Sequence, residues 1–575
     1  MGNMMRVLVD VFFRQVDVVG RFRIPDEGPV IFVANHSNQF VDPLMLSYCA
    51  ERPVRFLCAA KSMRRPLIGR LARAARAIGV ERPQDLATKG RGTISIEAGS
   101  TQLAGAGTAF CSELHPGCKV HAGGVELAVK SVESDVACTV AAASAGVSAS
   151  AFKVFPKIDQ GDTFTTVHEA LKARDCIGIF PEGGSHDRPG LLDLKPGVAI
   201  MALGAMVEGS APVQIVPCGM TYFEAHRFRS RAIVEFGTPV EVPAALAERY
   251  KTDKRGAVAE LMSSVEDALT AVVPKAANYK ELQALITMKA LYKPRDHRLT
   301  PEESLKLTKS FTSAAAKSGP EGPLQEVIRL VEEYNAMLRA KGARDRDVRR
   351  SAAGRNFTLS AAGALLQVLL LSPLALPAML LWLPVALATT LLAEKERRKA
   401  LAGSSVKVKA TDVVASYKIL VALVLLPVYN LLAAVAVAWL SGAGIWLLPL
   451  CFVLQPVLAY FLILLCDHYI RCAKCVAAIA YFGCSCSGAT GRLEERRAQL
   501  QQKVRALVEE LGPQFDSDFE ATRVDRQESR QRLLKDGASF ADAEPAVHVL
   551  DAGGLADLLT PGGGEGKADP LLQRQ

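Results

Sequence analysis

A histidine and an aspartate sharing one short loop are the first residues that could do chemistry: Asn35-His36-Ser37-Asn38-Gln39-Phe40-Val41-Asp42-Pro43. Imidazole accepts a proton near neutral pH, and a carboxylate beside it fixes its tautomer and stabilises the imidazolium. The apolar run Pro29 to Ala34 reads as a buried strand, so the pair would sit just past a strand end. Taken alone, such a pair is more often a turn and a cap than a catalytic dyad. A second segment gives it weight. Gly178-Ile179-Phe180-Pro181-Glu182-Gly183-Gly184-Ser185-His186-Asp187-Arg188 also follows an apolar strand candidate, Cys176 to Phe180. Two glycines let the backbone approach a ligand, and free amides in such a turn bind anions; Arg188 and Lys195 add positive charge beyond.

Together the two segments resemble the paired signatures of the glycerolipid acyltransferase superfamily, which transfers acyl groups from acyl-CoA to a glycerol hydroxyl. Ile78-Gly79-Val80-Glu81-Arg82-Pro83-Gln84-Asp85 resembles the block whose arginine helps bind the acceptor phosphate. Val216-Pro217-Cys218-Gly219-Met220 resembles the late Val-Pro block. The wording NQFVDP, VERPQD, PKIDQGD and FPEGGSHDR is most similar to the membrane-bound glycerol-3-phosphate/dihydroxyacetone-phosphate acyltransferases of fungi and other eukaryotes. The resemblance covers residues 4–300 well and the apolar C-terminal half more loosely. It departs from the wider superfamily twice. Five residues rather than four separate His36 from Asp42, so the loop must bulge, and Asn38 becomes an alternative partner for the imidazole. Gly184-Ser185 replaces the commoner Thr-Arg, so the phosphate-binding cation must come from Arg188, His186 or Arg82.

Composition agrees with a membrane-bound enzyme. The 575 residues leave room for several domains, and 50% are hydrophobic, concentrated in one region. A net charge of +9 suits work beside anionic lipid and an anionic thioester donor. No recognition motif or dense basic stripe points to nucleic acid. The thirteen cysteines lack a small-domain spacing and read as reduced thiols facing the cytosol. No cleaved signal peptide is expected at the N-terminus.

Residues 4–18 carry Arg6, Asp10, Arg14 and Asp17 at helical spacing and are expected to form an amphipathic helix, at the membrane or against the catalytic domain. A basic helix is expected over Lys61 to Ile78, touching lipid or phosphate or simply solvated. The fold expected is an α/β acyltransferase domain, a sheet flanked by helices, over residues 29–89 and 151–245. Residues 90–150, with strand candidates at 90–96, 107–110 and 125–129, are expected to form a small inserted all-β domain. A helical connector follows over 246–357, broken at Lys293-Pro294-Arg295 and Ser318-Gly319-Pro320.

The C-terminal region reads as helical and transmembrane. Leu359 to Ala393 is long for one span and short for two, and Pro373, Pro377 and Pro384 interrupt it, so a proline-kinked or re-entrant hairpin is expected over 358–393. A basic cytosolic loop at 394–418 leads to two spans, 419–440 and 445–466, joined by Ser441-Gly442-Ala443-Gly444. Cys466, Cys472, Cys475, Cys484 and Cys486 would lie beyond the last span as inert or palmitoylated thiols, zinc being the weakest reading. A charged helix over Arg492 to Leu511 and a disordered tail complete the chain.

The resemblance implies direct acyl transfer, with His36 as base and Asp42 as its orienter. Arg82 and Arg188 would contact the acceptor phosphate, and amides near Gly183 and Gly184 the oxyanion or the phosphate. Glu182 would position a hydroxyl or an arginine; Ser185, Lys195, Asn38 and Pro217 complete the expected substrate-binding set. Acyl-CoA is a co-substrate, no cofactor or metal is required, and the acceptor is glycerol 3-phosphate or dihydroxyacetone phosphate. The enzyme would sit in the endoplasmic reticulum membrane with its catalytic domain in the cytosol. Lysophosphatidic acid as acceptor is the near alternative and an inactive membrane scaffold the distant one; a serine hydrolase lacks its Gly-x-Ser-x-Gly elbow.

Overall fold

The computed structural model describes residues 2–188, 190–273, 279–292, 301–318, 322–340, 345, 348–349, 355–404, 406–442, 447–484 and 488–515. Helix α1 (Gly2–Phe12) passes directly into strand β1 (Phe13–Val19). The helix expected over 4–18 therefore stops at Phe12. Phe13 is buried, the β-branched Val16, Val18 and Val19 favour extended backbone, and a neighbouring strand supplies a parallel ladder from Phe13 to Val19.

Seven more strands join β1 in the catalytic sheet: β2 (Val30–Ala34), β3 (Val54–Ala59), β4 (Ile78–Val80), β13 (Cys176–Ile179), β14 (Gln214–Tyr222), β15 (Ser230–Phe236) and β16 (Val240–Glu241). Their order is β1-β15-β14-β2-β13-β3-β4, with β16 on β14. Strands β14, β2, β13, β3 and β4 run parallel, so their carboxyl ends open along one edge of the sheet. Central strand β2 is buried on both sides. Ile31 and Val33 enter one core, with helices α6 (Gly161–Lys172), α7 (Gly197–Val207) and α9 (Lys254–Val272). Val30, Phe32 and Ala34 enter the other, with α1 and α2 (Val41–Ala50). This is a sheet flanked by helices, built by period-2 alternation on a continuous apolar run.

Between β4 and α6 lie strands β5 (Thr88–Lys89), β6 (Thr93–Ile96), β7 (Gln102–Ala106), β8 (Lys119–Ala122), β9 (Val125–Ser134), β10 (Ala137–Val140), β11 (Val147–Ser150) and β12 (Phe152–Phe155). They make a second, antiparallel sheet with its own core, which includes Ile94, Leu103, Phe110 and Val120. Gly107 to Phe110 is not a strand: it is the turn after β7 and the start of the short helix α5 (Phe110–Glu113). The basic helix expected over 61–78 is divided. A short α3 (Ala60–Met63) ends before α4 (Pro66–Ala74), which starts on its proline, and Ile78 already belongs to β4.

Helices α8 (Ala244–Thr252), α10 (Tyr279–Tyr292), α11 (Pro301–Lys317) and α12 (Pro323–Ala340) lead to α13 (Arg355–Ala402). The expected breaks at 293–295 and 319–320 lie outside the described residues. The expected hairpin is overturned: α13 is one helix of 48 residues with Pro373, Pro377 and Pro384 inside it. Spaced by four and seven, the prolines fall within about 40° of one another around the helix. The Leu369 carbonyl, whose usual donor Pro373 lacks, accepts from the Ser372 hydroxyl at 3.0 Å, and the Leu381 carbonyl near Pro384 accepts from Tyr429. Helix α14 (Val414–Ser441) already begins inside the loop expected over 394–418, and α15 (Leu447–Cys484) runs well past the expected span end at 466. Cys466, Cys472 and Cys475 therefore lie on a helix rather than beyond one; the Cys484 side chain, Cys486 and the expected turn at 443–444 lie outside the described residues. Among the described residues, three stretches are long and apolar enough to cross a membrane: Ala362–Ala402, Thr411–Leu440 and Leu454–Ala477. Helix α16 (Gly488–Phe515) follows, and contacts divide the chain into Met1–Leu507 and Val508–Gln575. The tail expected to be disordered lies outside the described residues from 516 onward.

Because Phe32 is fully buried at the centre of the sheet, Phe32→Ala is expected to cost about 3–5 kcal/mol. Val136→Ala, on an exposed turn of the second sheet, is expected to change stability by less than ~0.5 kcal/mol. Thermal unfolding of the detergent-solubilised protein measures both.

Candidate active site

The carboxyl ends of parallel strands are where an open α/β sheet leaves room for a ligand, and the candidate residues gather there. Asn35, the first residue after β2, joins that strand end to β14: its amide donates to the Met220 carbonyl (3.0 Å) and its oxygen accepts from the Met220 N–H (2.7 Å). His36 comes next. Its ring stacks on Phe180 with centroids 4.2 Å apart, and its Nδ1 lies 2.8 Å from Asp42 Oδ2. Nε2 is thus the nitrogen left to the cavity that His36 lines. Asp42 is completely buried and accepts two further hydrogen bonds, from the Asn38 N–H (2.7 Å) and the Tyr222 hydroxyl (2.6 Å). The extra residue of the loop is taken up at Gln39, whose φ is 35°. Asn38 is neither the imidazole's partner nor on the cavity wall: its buried side chain turns away and donates weakly to the Ala225 carbonyl at 3.4 Å.

Glu182 locks the second loop to the first. Its carboxylate accepts from the His36 N–H (2.7 Å) and the Leu192 N–H (2.8 Å) and pairs with His186, while the His186 N–H donates to the His36 carbonyl (3.0 Å). Burial pushes the Glu182 carboxyl up, but His186 and the two amides outweigh it and hold the group below the usual range. Glu182 and His186 are both buried and absent from the cavity lining, so they brace the loops where substrate contacts were expected. Pro217 is also corrected: it sits inside β14, opposite Val33 of β2, away from the cavity.

The cavity keeps the rest of the set. Gly183 has φ +74°, a backbone conformation that favours glycine, and a Cβ there would displace the Lys195 side chain. The N–H groups of Gly184 and Ser185 have no acceptor among the described residues, and both residues line the cavity. Arg82 lines it too, donating to Asp85 (2.6 Å) and more weakly to the Gly183 carbonyl (3.4 Å). Lys195 has no ion-pair partner among the described residues; burial, with Arg82 beside it, holds its ammonium below the usual lysine range. Two cations and two free amides facing one space form a site for an anion.

Arg188 is not among them. Its Nε donates to the Val406 carbonyl (2.7 Å), on the strap between α13 and α14, which the sequence reading did not connect to the site. The strap is fastened along its length. Asp187 accepts from the N–H groups of Val408 (2.8 Å), Lys409 (2.9 Å) and Thr411 (3.1 Å). Buried Asp412 accepts from the Ser185 hydroxyl (2.6 Å) and pairs with Lys407, which also donates to the Ser185 carbonyl (2.8 Å). Ser416, one helical turn on, accepts from the Phe40 N–H (3.1 Å) and donates to the Asn38 carbonyl (3.2 Å). The sequence carried one signal of this: an aspartate at the edge of an apolar span, which needs a partner. It could not name a partner some 225 residues away.

The cavity has a volume of about 650 Å³, within the usual range for small-molecule sites. Beside the polar residues, its walls are apolar: Leu44 of α2, Ile68 and Leu71 of α4, and Ile419, Leu420 and Leu423 of α14. An imidazole, two cations with two free amides, and an apolar wall in one space suit a substrate with a hydroxyl, a negative charge and a hydrocarbon part.

Known proteins match this sequence along most of the chain. Residues 15–111 match the acyltransferase family profile, and residues 284–516 match that of the glycerol-3-phosphate acyltransferase 2 C-terminal domain. An uncharacterised acyltransferase of Schizosaccharomyces pombe is 34% identical over 597 residues, covering 95% of this chain and 86% of the relative. Glycerol-3-phosphate O-acyltransferase 1 of Saccharomyces cerevisiae is 32% identical over 546 residues, with 89% and 71% covered. Glycerol-3-phosphate O-acyltransferase 2 of the same yeast is 29% identical, with 73% and 62% covered. The crystal structure of PlsC, a 1-acyl-sn-glycerophosphate acyltransferase from Thermotoga maritima, aligns with a TM-score of 0.25 and 15% identity over 46% of this chain and 76% of that one, too slight a likeness to carry an argument.

Asp187→Asn removes the charge that gathers the strap amides. Trypsin cleavage after Lys407 and Lys409 is expected to quicken by roughly 5- to 30-fold, the factor that follows from losing 1–2 kcal/mol of local stability. Time-resolved proteolysis in detergent reads the rate.

Proposed function

The chain belongs to the acyltransferase family of the yeast glycerol-3-phosphate O-acyltransferases, and on that premise we propose that it transfers an acyl group from acyl-CoA to a hydroxyl of glycerol 3-phosphate, the first step of glycerolipid synthesis. Dihydroxyacetone phosphate, with the same pairing of hydroxyl and phosphate, is the second acceptor. The observation that carries the reading is His36, held by Asp42 through Nδ1, in one cavity with Arg82, Lys195 and the free amides of Gly184 and Ser185.

In this scheme His36 Nε2 takes the proton of the acceptor hydroxyl. The oxygen attacks the thioester carbonyl, the carbon–sulfur bond breaks, and the CoA thiolate leaves with the proton that His36 returns. Asp42 stabilises the imidazolium between the two transfers. Lys195 and Arg82 grip the acceptor phosphate, and the two amides take the oxyanion or a phosphate oxygen. The acyl chain lies against α4 and α14. Acyl-CoA is a co-substrate, and the scheme uses no metal or other cofactor.

The helices of membrane-crossing length and composition, three among the described residues, make this a membrane-associated protein. The strap is bonded to the catalytic loops, so both face one compartment and α13, which lies between them in sequence, does not carry the chain across the membrane; we assign that side to the cytosol, where acyl-CoA and glycerol phosphate are found, and the membrane proposed is the endoplasmic reticulum.

Membranes carrying the chain are expected to transfer label from acyl-CoA to glycerol 3-phosphate and to dihydroxyacetone phosphate, with His36→Ala reducing the rate by about 10²- to 10⁴-fold. Product from lysophosphatidic acid alone would move the reaction one step along the same synthesis, and transfer to none of the three by folded protein would leave a scaffold.

The lowered pKa of Lys195 makes a further test. The group loses its proton at a lower pH than the ordinary 10.5, so kcat/KM for the acceptor is expected to fall on the alkaline side below that pH. Lys195→Arg, which stays charged, is expected to abolish that alkaline limb, and Lys195→Ala to raise the acceptor KM by roughly tenfold or more at neutral pH. Arg188→Ala, off the cavity, is expected to leave that KM within about twofold.

A further inference from the structure

We propose that Tyr222 is a positioning residue of the reaction: through its hydrogen bond to Asp42 it sets the basicity of His36. The inference rests on His36 acting as the base. Asp42 Oδ2 serves His36 Nδ1 at 2.8 Å and the Asn38 N–H at 2.7 Å, while Oδ1 is held by the Tyr222 hydroxyl at 2.6 Å. The tyrosine ring is fixed in turn, its centroid 5.8 Å from that of Phe13 at the junction of α1 and β1. Its place on β14 follows from period-2 alternation: Cys218 and Met220 enter the core shared with α2, and Tyr222, two residues on, packs against the same core. Residues from four parts of the catalytic domain thus form one line from Phe13 through Tyr222 and Asp42 to the imidazole.

A carboxylate shares its negative charge among its donors. With three donors the pull left for the imidazolium is moderated; with two it is stronger. The titratable groups around the dyad are these: Glu182 reaches His36 only through the backbone N–H, His186 pairs with Glu182 and its N–H donates to the His36 carbonyl, Cys49 of α2 lies near Tyr222, and Cys58, Glu81, Arg82 and Lys195 share the cavity. None of them bonds Oδ1 of Asp42 in place of the tyrosine.

The experiment is the pH dependence of acyl transfer by the full-length protein in membranes, with the wild type, Tyr222→Phe, and 2,3,5-trifluorotyrosine installed at 222. Losing the hydroxyl is expected to move the acid limb of kcat/KM upward by about half to one pH unit, because the imidazolium is held more tightly. The fluorinated ring is a stronger donor and is expected to move the limb downward. KM for both substrates is expected to stay within about twofold of wild type.

A tyrosine that only fills space would lower the rate with the limb unmoved, and that result, or shifts of the same sign in both variants, would overturn the proposal. Should Tyr222→Phe fail to fold, the trifluorotyrosine form still decides by the sign of its shift. A His36→Ala variant that kept full activity would remove the base itself, a failure distinguishable from an unmoved limb in an enzyme that still needs His36.

Discussion

A carboxylate stripped of water is tolerated only where donors surround it, and Asp42 imposes that constraint on everything near it. Its donors come from its own loop, from a backbone amide two residues past His36, and from β14. Each must be held in place by something else. Asn35 joins the end of β2 to β14, so the loop and Tyr222 share one frame. Glu182, itself buried, binds the His36 amide and so ties the loop after β13 to the same frame. One charge in the interior therefore accounts for why three adjacent parallel strands end at this edge with polar residues that never meet substrate.

The same logic extends to the membrane region. Ala415, in the first turn of α14, is fully buried in the core built on Phe32, and Ser416 bonds the Asn38–Phe40 turn. Buried Asp412 pairs with the half-buried Lys407, and Ser185 satisfies it on the loop side. A strap detached from the loops would leave Asp187 without the three strap amides and take the Ser185 contacts from Asp412 and Lys407. The strap is accordingly part of the catalytic fold, although an apolar helix of 48 residues separates it in sequence from the connector.

What could be read beforehand followed local periodicity, and what could not depended on distance along the chain. Five consecutive apolar residues made β2 legible, and His36 with Asp42 stood out because their chemistry lay within one loop. Arg188 was legible as a cation but not as a strap ligand, since Val406 lies far along the chain. Glu182 looked like a substrate contact because an exposed loop carboxylate and a buried clamp have the same local sequence. Tyr222 was hidden by its position two residues past the block that drew attention. The proline-bearing helix failed for another reason: prolines mark breaks when counted, but three on one face, with a serine hydroxyl answering a freed carbonyl, leave a helix continuous.

The proposed reaction explains why a membrane helix forms the cavity wall. Each methylene sheltered from water contributes about 0.8 kcal/mol, so a chain of ten would cost about 8 kcal/mol to expel into solvent. The acceptor and CoA are charged and exchange with water, whereas the acylated product carries the hydrocarbon. A cavity walled only by a soluble domain would hold that product until it paid this cost. A wall made by Ile419, Leu420 and Leu423 belongs instead to a helix whose later residues, Val424 and Leu431 among them, are exposed apolar surface. The chain can then pass from the cavity along α14 to lipid without losing contact with apolar groups. On that argument the attachment of α14 to the His36 loop by Ser416 is a requirement of the chemistry, because the base and the hydrocarbon path must meet at the same carbonyl carbon.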